Sequence, residues 1–231
     1  MKVVVKVGGF VFSSSLRAET LSSYAEVLAR LHDEGHRLVI VAGGGEEARR
    51  YIKAARELHA SEYACDILGI EVSRLNARLL IAALRDRAHP TPPQTIPELQ
   101  IAFQGGRIIV IGGIEPGQST NAVAALAAEA IDADLLVNAT NVEGVYTSDP
   151  KKDRKAKKLD EIDTEQLLRL VIGGEMGAGG YELFDPVAIK IVERSRILTR
   201  IIDGRVPENI EKAVRGEAIG TLLKAAGRRG P

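Results

Sequence analysis

Three short apolar segments that run directly into glycines constrain this chain more than any other feature. They are 2-KVVVKV-7 before Gly8 and Gly9, 37-RLVIVA-42 before three glycines, and 108-IIVI-111 before Gly112 and Gly113. Segments so uniformly apolar are typical of strands in a parallel sheet that is covered on both faces. Because ligands bind beyond the carboxyl ends of such strands, three glycine loops at that edge predict a large ligand that carries phosphate.

Helical segments alternate with strands along the whole chain, which is the pattern of the α/β class. Glycine stops, capping residues and apolar periodicity set the expected boundaries. No internal repeat or linker divides the sequence, so one domain over residues 1–231 is expected. The pattern predicts strands at 2–7, 37–42, 108–111, 134–139, 197–202 and 219–223, helices at 18–33, 46–59, 62–87, 122–131, 164–171, 186–195 and 207–214, and loops at 140–158 and 173–180.

Composition excludes several classes of protein. The 231 residues include 31 basic and 31 acidic side chains, so the basic excess of a protein that wraps nucleic acid is missing. The apolar runs are too short to span a membrane, and the first residues do not resemble a signal peptide. Cys65 is the only cysteine, and the four histidines are scattered without metal-ligand spacing. We therefore expect a cytoplasmic protein with no membrane or nucleic-acid partner.

The first glycine loop follows a lysine. Lys6 lies near the end of the first predicted strand, immediately before Val7, Gly8 and Gly9. A lysine there can point its ammonium group at a phosphate while the glycine backbone approaches closely. The alternative is a lysine at the edge of a strand before a tight turn.

The second glycine loop, 43-GGGEEARR-50, opens a predicted helix. Unpaired N–H groups and the positive end of the helix dipole favour an anion at such a place. Arg49, one turn into the helix, can reach that anion or pair with Glu46. The loop matches neither the G-x-x-x-x-G-K-[ST] nor the G-x-G-x-x-G pattern.

The third loop, 112-GGIEPGQST-120, precedes an alanine-rich helix. Ser119 and Thr120 stand at the expected N-cap, and capping alone explains one of the two hydroxyl groups. Binding of an anion explains the remaining pattern of glycines, Gln118 and hydroxyls. Both interpretations stay open at this point.

Two later segments also carry candidate binding residues. In 140-TNVEGVYTSDP-150, the ring of Tyr146 can cover a base and the carboxylate of Asp149 can accept a ribose hydroxyl, unless the tyrosine packs on the core. Asp185 and Pro186 are typical of a helix start. Lys190 then falls one turn inside that helix, where it is either a phosphate ligand or a surface lysine.

Taken together and in this order, the five motifs resemble those of the amino acid kinase superfamily, and most closely its archaeal UMP kinases. The resemblance covers the chain from Lys6 to the last predicted strand. It implies a three-layer αβα sandwich with a central, mainly parallel sheet. Residues 1–130 would form roughly the UMP-binding half, and residues 131–231 the ATP-binding half.

The resemblance implies a role for each motif residue of this sequence. Lys6 and Lys190 would act on the transferring phosphoryl group, and the metal would be held largely by ATP phosphates and water, without a protein ligand. ATP would be bound by Gly8, Gly9, Phe10, Gly45, Arg49, Thr140, Asn141, Tyr146 and Asp149. UMP would be bound by Gly44, Asp66, Ile114, Glu115, Pro116, Gly117, Gln118, Ser119 and Thr120.

The implied activity is transfer of the γ-phosphoryl group of ATP to UMP, giving ADP and UDP in pyrimidine nucleotide synthesis. Mg²⁺ would accompany ATP, UTP would inhibit by feedback, and the chain would assemble into a homohexamer. Two positions depart from the family pattern. Phe10 replaces a small or polar residue, and Asn121 replaces an aspartate that organises lysines in many relatives.

Other functions of the same fold stay open on sequence alone. Isopentenyl phosphate kinases usually have a histidine near the second glycine loop. The corresponding segment of this sequence contains no histidine. Acetylglutamate kinases and aspartokinases tend to be longer, and carbamate kinases share the ATP half. A non-catalytic storage protein that binds a nucleotide or an oxyanion is the alternative from a different class.

Overall fold

A computed structural model describes residues 1–13, 16–148, 153, 155–172 and 183–227. Within these ranges the core is one seven-stranded sheet. Its strands in chain order are β1 Lys2–Val7, β2 Arg37–Ala42, β3 Ile109–Ile111, β4 Leu135–Thr140, β5 Glu161–Asp163, β6 Thr199–Asp203 and β7 Thr221–Lys224. They lie side by side in the order β3-β2-β1-β4-β6-β7-β5.

Most strand pairs are parallel, and β1 lies between β2 and β4. Lys6 is opposite Val41 on one side and Asn138 on the other. The pair formed by β6 and β7 is antiparallel, whereas β7 and β5 are parallel again. The predicted α/β class and mainly parallel sheet are therefore confirmed.

Helices cover both faces of the sheet. They are α1 Ala18–Asp33, α2 Gly45–Glu57, α3 Glu62–Leu84, α4 Ile96–Gln104, α5 Thr120–Ala130, α6 Thr164–Ile172, α7 Pro186–Ser195 and α8 Glu208–Val214. Short 3₁₀ turns occupy Gly9–Phe12 and Arg85–Arg87. No helix in the part of the chain that the structure describes is both long and apolar enough to cross a membrane.

Alternation along the strands divides the core into two layers. Val4 of β1 faces a cluster with α4, α5, α6 and α7, while Val3 and Val5 face a cluster with α1, α3 and α8. Successive side chains of a strand point to opposite faces, so a strand that is apolar throughout supplies both layers. The three-layer arrangement follows from that pattern.

Several predicted boundaries match the structure. The strands at 2–7 and 37–42 and the helices at 18–33 and 186–195 have the bounds expected from sequence. Other elements shift by one to three residues, as helix and strand ends commonly do. The predicted helix at 62–87 ends as an α-helix at Leu84 and continues as a 3₁₀ turn. The predicted loop at 173–180 lies outside the described residues.

The sequence analysis missed α4 and β5. Helix α4 begins with a capping arrangement in which Thr95 accepts a hydrogen bond from the N–H of Glu98, and the Glu98 carboxylate accepts one from the N–H of Gln94. Such reciprocal bonds are a helix-start pattern that can be read from sequence. β5 has three residues and pairs with β7. A strand that short carries no periodicity of its own.

Candidate functional site

The first two glycine loops contact each other at the carboxyl ends of β1 and β2. A Cβ atom on Gly9 would lie 2.4 Å from the Cα of Gly45, and one on Gly43 would lie 2.9 Å from the nitrogen of Gly9. Gly45 also has a φ of +71°. Only glycine permits both this close approach and this backbone conformation. The pairs of glycines in the sequence thus reflect packing of one loop on the other.

A cleft of about 320 Å³ opens beside these loops. Its walls come from the ends of β1, β2 and β4 and from the starts of α2, α5 and α7. Eleven residues expected from sequence line it: Lys6, Gly8, Gly9, Phe10, Gly44, Gly45, Arg49, Ser119, Thr120, Thr140 and Asn141. Three further residues, Gly43, Asn121 and Asp185, line it as well. The cleft therefore gathers residues of both expected substrate halves.

Lys6 brings a positive charge into the wall of this cleft. It is the last residue but one of β1, and only 8% of its surface is exposed. Arg49 of α2 is the second cationic residue of the wall, and Asp185 is the one carboxylate among the described lining residues. A mostly buried lysine beside the positive ends of helices creates a site suited to phosphate.

Two of the helices that begin at the cleft, α5 and α7, are connected through their caps. The hydroxyl of Ser119 accepts hydrogen bonds from the N–H groups of Asn121 and Ala122, both at 3.1 Å, and donates one to Oδ2 of Asp185. Asp185 in turn caps α7, because its Oδ1 accepts from the N–H groups of residues 187 and 188 at 3.0 and 3.1 Å.

The capping role of Ser119 is confirmed by this geometry. A hydroxyl has one proton and two lone pairs, and in this structure all three are engaged. Its expected contact with UMP stays a prediction, and it would require one of these bonds to exchange. The structure also confirms Asp185 as the start of α7.

Asn121 has a side-chain acceptor without a hydrogen-bond partner. Its Oδ1 is buried and unpaired among the described residues, and the side chain lines the cleft. A buried acceptor is costly unless it receives a proton from water, a ligand or a neighbouring group. The departure from aspartate at this position therefore leaves a neutral acceptor at the site.

Helix α3 holds two of the site loops, which the sequence analysis did not detect. Ser73 accepts a hydrogen bond from the N–H of Gly113 at 2.6 Å, and Arg74 donates one to the carbonyl of the same residue at 3.1 Å. Asn76 donates to the carbonyls of Gly43 and Gly44 at 2.9 and 3.2 Å. These polar residues lie inside a helix and form no sequence motif. Only their positions on the side of α3 that faces the loops could have indicated their role.

Apart from Gly44, the expected UMP residues before Ser119 do not line the cleft. Asp66 of α3 accepts a hydrogen bond from the N–H of Gly117 at 2.7 Å, and Gly117 has a φ of +78°. Ile114 packs into the core, and the Gln118 N–H closes a turn onto the Glu115 carbonyl at 3.3 Å. Residues 114–118, which include Pro116, therefore form a loop that is attached to α3 through Asp66. Its contacts with UMP stay predictions.

Phe10 lines the cleft beside the other residues expected to bind ATP. A Cβ atom on Gly8 would lie 2.5 Å from its ring, and one on Gly204 would lie 3.0 Å from the ring tip. Gly204 donates its N–H to the Thr140 carbonyl at 2.7 Å and accepts a hydrogen bond from the hydroxyl of Tyr24. The phenyl ring thus fills space where two glycines leave room for it.

Tyr146 lies outside the cleft. Its hydroxyl donates a hydrogen bond to Glu143 at 2.9 Å, and burial followed by this carboxylate raises the pKa of Tyr146. Nearby, the guanidinium of Arg205 lowers the pKa of Asp203 by direct hydrogen bonds. The adenosine role of Tyr146 stays a prediction, and Asp149 lies outside the described residues.

Lys190 does not reach the cleft in this structure. Its side chain is 59% exposed and forms an ion pair with Glu193 at 2.8 Å, one turn along α7. This is the geometry of a surface lysine on an amphipathic helix. Its proposed phosphate contact stays a prediction and requires the side chain to leave Glu193.

The fold and the cleft together are those expected of an amino acid kinase, and comparisons with known proteins agree with that class. The model of the amino acid kinase family matches residues 1–203, and the chain belongs to that family. Within the family it is similar to the uridylate kinase of Hyperthermus butylicus, with 53% identity over 221 residues, 96% of this chain and 97% of that protein. The uridylate kinase of Methanococcoides burtonii is 47% identical over 96% of this chain and 94% of that protein.

Solved structures give the same assignment. The uridylate kinase from Archaeoglobus fulgidus superimposes with a TM-score of 0.87 at 44% identity, covering 96% of this chain and 100% of that one. A UMP kinase from Bacillus anthracis superimposes with a TM-score of 0.83 at 21% identity, covering 98% and 96%. At that lower identity the likeness shows the fold alone.

Proposed function

We propose that the protein is a UMP kinase that transfers the γ-phosphoryl group of ATP to UMP, giving UDP and ADP. The single observation that carries the proposal is that one cleft is lined both by residues expected to bind ATP and by residues expected to bind UMP. The cleft places Lys6 between two glycine loops and beside the starts of α2, α5 and α7. The likeness to uridylate kinases over nearly the whole chain supports the choice of acceptor.

The reaction needs no general base. The attacking oxygen belongs to a phosphate group whose second pKa is about 6, so it is mostly deprotonated at neutral pH. Both oxygens of Asp185, the carboxylate described in the cleft wall, are occupied by Ser119 and the α7 backbone. This carboxylate has a structural use and is not required to remove a proton.

Catalysis then depends on alignment and on neutralisation of charge. A loose, in-line transition state spreads negative charge over the oxygens of the transferring group. Lys6 and the N–H groups of the glycine loops would bind that charge from fixed positions, while the two halves of the cleft would hold donor and acceptor in line. The close packing of Gly9 against Gly45 supports such fixed positions.

Mg²⁺ fits this site as a companion of ATP. Among the described residues no cluster of three or more His, Cys, Asp or Glu side chains is present to hold an ion. Magnesium commonly keeps several waters and binds through substrate phosphates, with few protein ligands. When bound it would neutralise charge on the phosphate oxygens, and it would be held mainly by ATP and water.

The proposal includes the remaining expectations of the resemblance. Residues 1–130 form the acceptor half and residues 131–231 the donor half of one domain. The protein is a cytoplasmic homohexamer, and UTP inhibits it because UTP resembles the acceptor. Lys190, Tyr146 and Asp149 would join the donor site when ATP binds.

A coupled ADP-release assay tests the proposal. The protein is supplied with Mg·ATP and, in separate reactions, with UMP, CMP, dUMP, isopentenyl phosphate, acetylglutamate, aspartate or carbamate. We expect strong turnover with UMP. Turnover with a different acceptor would overturn the UMP assignment while keeping the donor half, and ATP binding without turnover on any acceptor would favour a storage protein.

A further inference from the structure

Asn76 lies beneath the second glycine loop and makes contact with its backbone. The residue belongs to α3, is 6% exposed, and does not line the cleft. Its Nδ2 donates to the carbonyl oxygens of two successive residues, Gly43 at 2.9 Å and Gly44 at 3.2 Å. Both of those glycines do line the cleft. Asn76 therefore touches the back of a surface whose front faces the site.

These two contacts fix the direction of the next N–H groups. In a trans peptide unit the carbonyl of one residue and the N–H of the next point to opposite sides. The chain has no cis peptide bond among its described residues. When Asn76 holds the carbonyls of Gly43 and Gly44 toward α3, the N–H groups of Gly44 and Gly45 are directed away from α3.

Those N–H groups are not used by the protein itself. In the described part of the chain, neither the N–H of Gly44 nor that of Gly45 donates to a backbone carbonyl or a side chain. Gly45 is the first residue of α2, so its N–H lies at the positive end of the helix. Two oriented and unpaired donors at a helix start are suited to a phosphate group.

We propose that Asn76 is a positioning residue that aims the N–H groups of Gly44 and Gly45 at the phosphate groups of the substrates. This inference rests on the proposed function for the identity of the nucleotides. Asn76 itself touches no substrate. It acts by holding two peptide planes, so its removal weakens phosphate binding and leaves nucleoside binding unchanged.

The test compares nucleotides with nucleosides in Asn76→Leu, which keeps the size of the buried side chain but removes both donors. Calorimetry measures Kd for ATP and adenosine, and for UMP and uridine, with wild type and variant at matched folded fraction. We expect the affinity for ATP, UMP or both to fall tenfold or more. Adenosine and uridine are expected to bind within twofold of wild type, because they lack the phosphate.

Thr164→Val is the matched control. It removes the hydrogen bond of a buried side chain with the backbone N–H of Ala226, beside the edge strand of the sheet and away from the three glycine loops. A general loss of stability would affect both variants alike, whereas the proposal assigns loss of the Gly44 and Gly45 donors to Asn76→Leu alone. Asn76→Ser, whose shorter side chain cannot reach both carbonyls, replaces Asn76→Leu if the leucine variant does not fold.

A second measurement uses the wild-type chain. With ¹⁵N-labelled glycine, the amide resonances of Gly44 and Gly45 are expected to shift on addition of tripolyphosphate, a probe without a base or sugar. Unshifted resonances, or equal losses of nucleotide and nucleoside affinity in the Asn76 variants, would overturn the inference. Failure of UMP to be phosphorylated by wild type would instead count against the proposed function, since the binding experiments do not depend on turnover.

Discussion

The hydroxyl of Ser119 donates a hydrogen bond to the carboxylate of Asp185, which lies 66 positions later in the chain. Each residue is the N-cap of its own helix, α5 for Ser119 and α7 for Asp185. The two helices also pack side by side in the same core cluster. One hydrogen bond thus couples the starts of two helices in the wall of the cleft.

The first prediction concerns that coupling. Asp185→Ala removes the cap of α7 and the acceptor of Ser119, so we expect a loss of about 2 kcal/mol in the free energy of unfolding. Urea denaturation measures the loss. Ser61→Ala, which removes the cap of α3 at an exposed helix start, is expected to cost about 1 kcal/mol or less. Equal costs in the two variants would contradict a coupling role for Asp185.

The contact between the glycine loops gives a second prediction. Gly9→Ala places a Cβ atom 2.4 Å from the Cα of Gly45, and backbone must move to relieve the overlap. We expect a loss of stability of about 3 kcal/mol, together with loss of ATP binding. Gly227→Ala is the control, because its Cβ would meet nothing within 4 Å. Thermal melting and calorimetry check both variants, and normal ATP affinity in Gly9→Ala would argue against the loop contact.

Lys6 is expected to stabilise the transition state. Lys6→Ala should lower kcat by about a hundredfold or more, comparable to the loss of one preorganised donor. Lys53→Ala, which alters an exposed lysine on α2, should leave kcat unchanged. The ADP-release assay at saturating ATP and UMP measures both. A near-normal kcat in Lys6→Ala would remove this residue from the mechanism.

Lys190 provides a test of rearrangement on ATP binding. If its ammonium group leaves Glu193 for a phosphate, Lys190→Ala should lower kcat/KM for ATP about tenfold, a difference of roughly 1.4 kcal/mol. Glu193→Gln, which releases the lysine, should leave kcat/KM the same or higher. An unchanged kcat/KM in Lys190→Ala would assign the residue to the solvated face of α7.

The ion pair between Arg30 and Glu211 predicts a dependence of stability on pH. Two hydrogen bonds of 3.0 Å join the side chains across α1 and α8, and the guanidinium lowers the pKa of Glu211. A carboxyl whose pKa is lowered by folding contributes its full stabilisation of the folded state at pH values above its unfolded pKa of about 4.3. That contribution is lost as the pH falls through the pKa that the group has in the folded state.

Glu211→Gln should therefore cost about 1 kcal/mol at pH 7, and the difference from wild type should shrink as the pH falls below about 4. Urea denaturation at a series of pH values measures this difference. Glu217→Gln, at an exposed position without an ion pair in the described structure, should show no such trend. A pH-independent difference for Glu211→Gln would mean that packing, and not charge, explains its cost.

Much of the fold could be predicted because the first three strands are largely apolar on both faces and are followed by glycine. That pattern sets the strand type, the parallel direction and the edge at which a ligand binds. The antiparallel pair of β6 and β7 could not be predicted in this way, because strand direction depends on how the intervening chain returns to the sheet. α4 was missed although Thr95 and Glu98 form a recognisable capping pattern.

The cleft was predicted in part for a similar reason. Residues that follow strands, such as Gly9 and Gly45, are placed by the sheet and were found from their motifs. Asn76 and Ser73 act through a helix that approaches the loops from behind, so their spacing gives no motif. The hydrogen bond between Ser119 and Asp185 joins segments that are distant in the chain, and a single sequence does not show that two such residues are in contact.

The interior position of β1 in the sheet has a consequence for synthesis of the protein. β1 pairs with β2 on one side, but its other side pairs with β4, which begins at Leu135. A nascent chain that has released only the first three strands exposes an unpaired, apolar edge on β1, and such edges invite association with other chains. The strand that carries Lys6 is thus synthesised first, but one of its edges stays unpaired until β4 has been synthesised. Slow translation between β3 and β4 would therefore favour aggregation over folding.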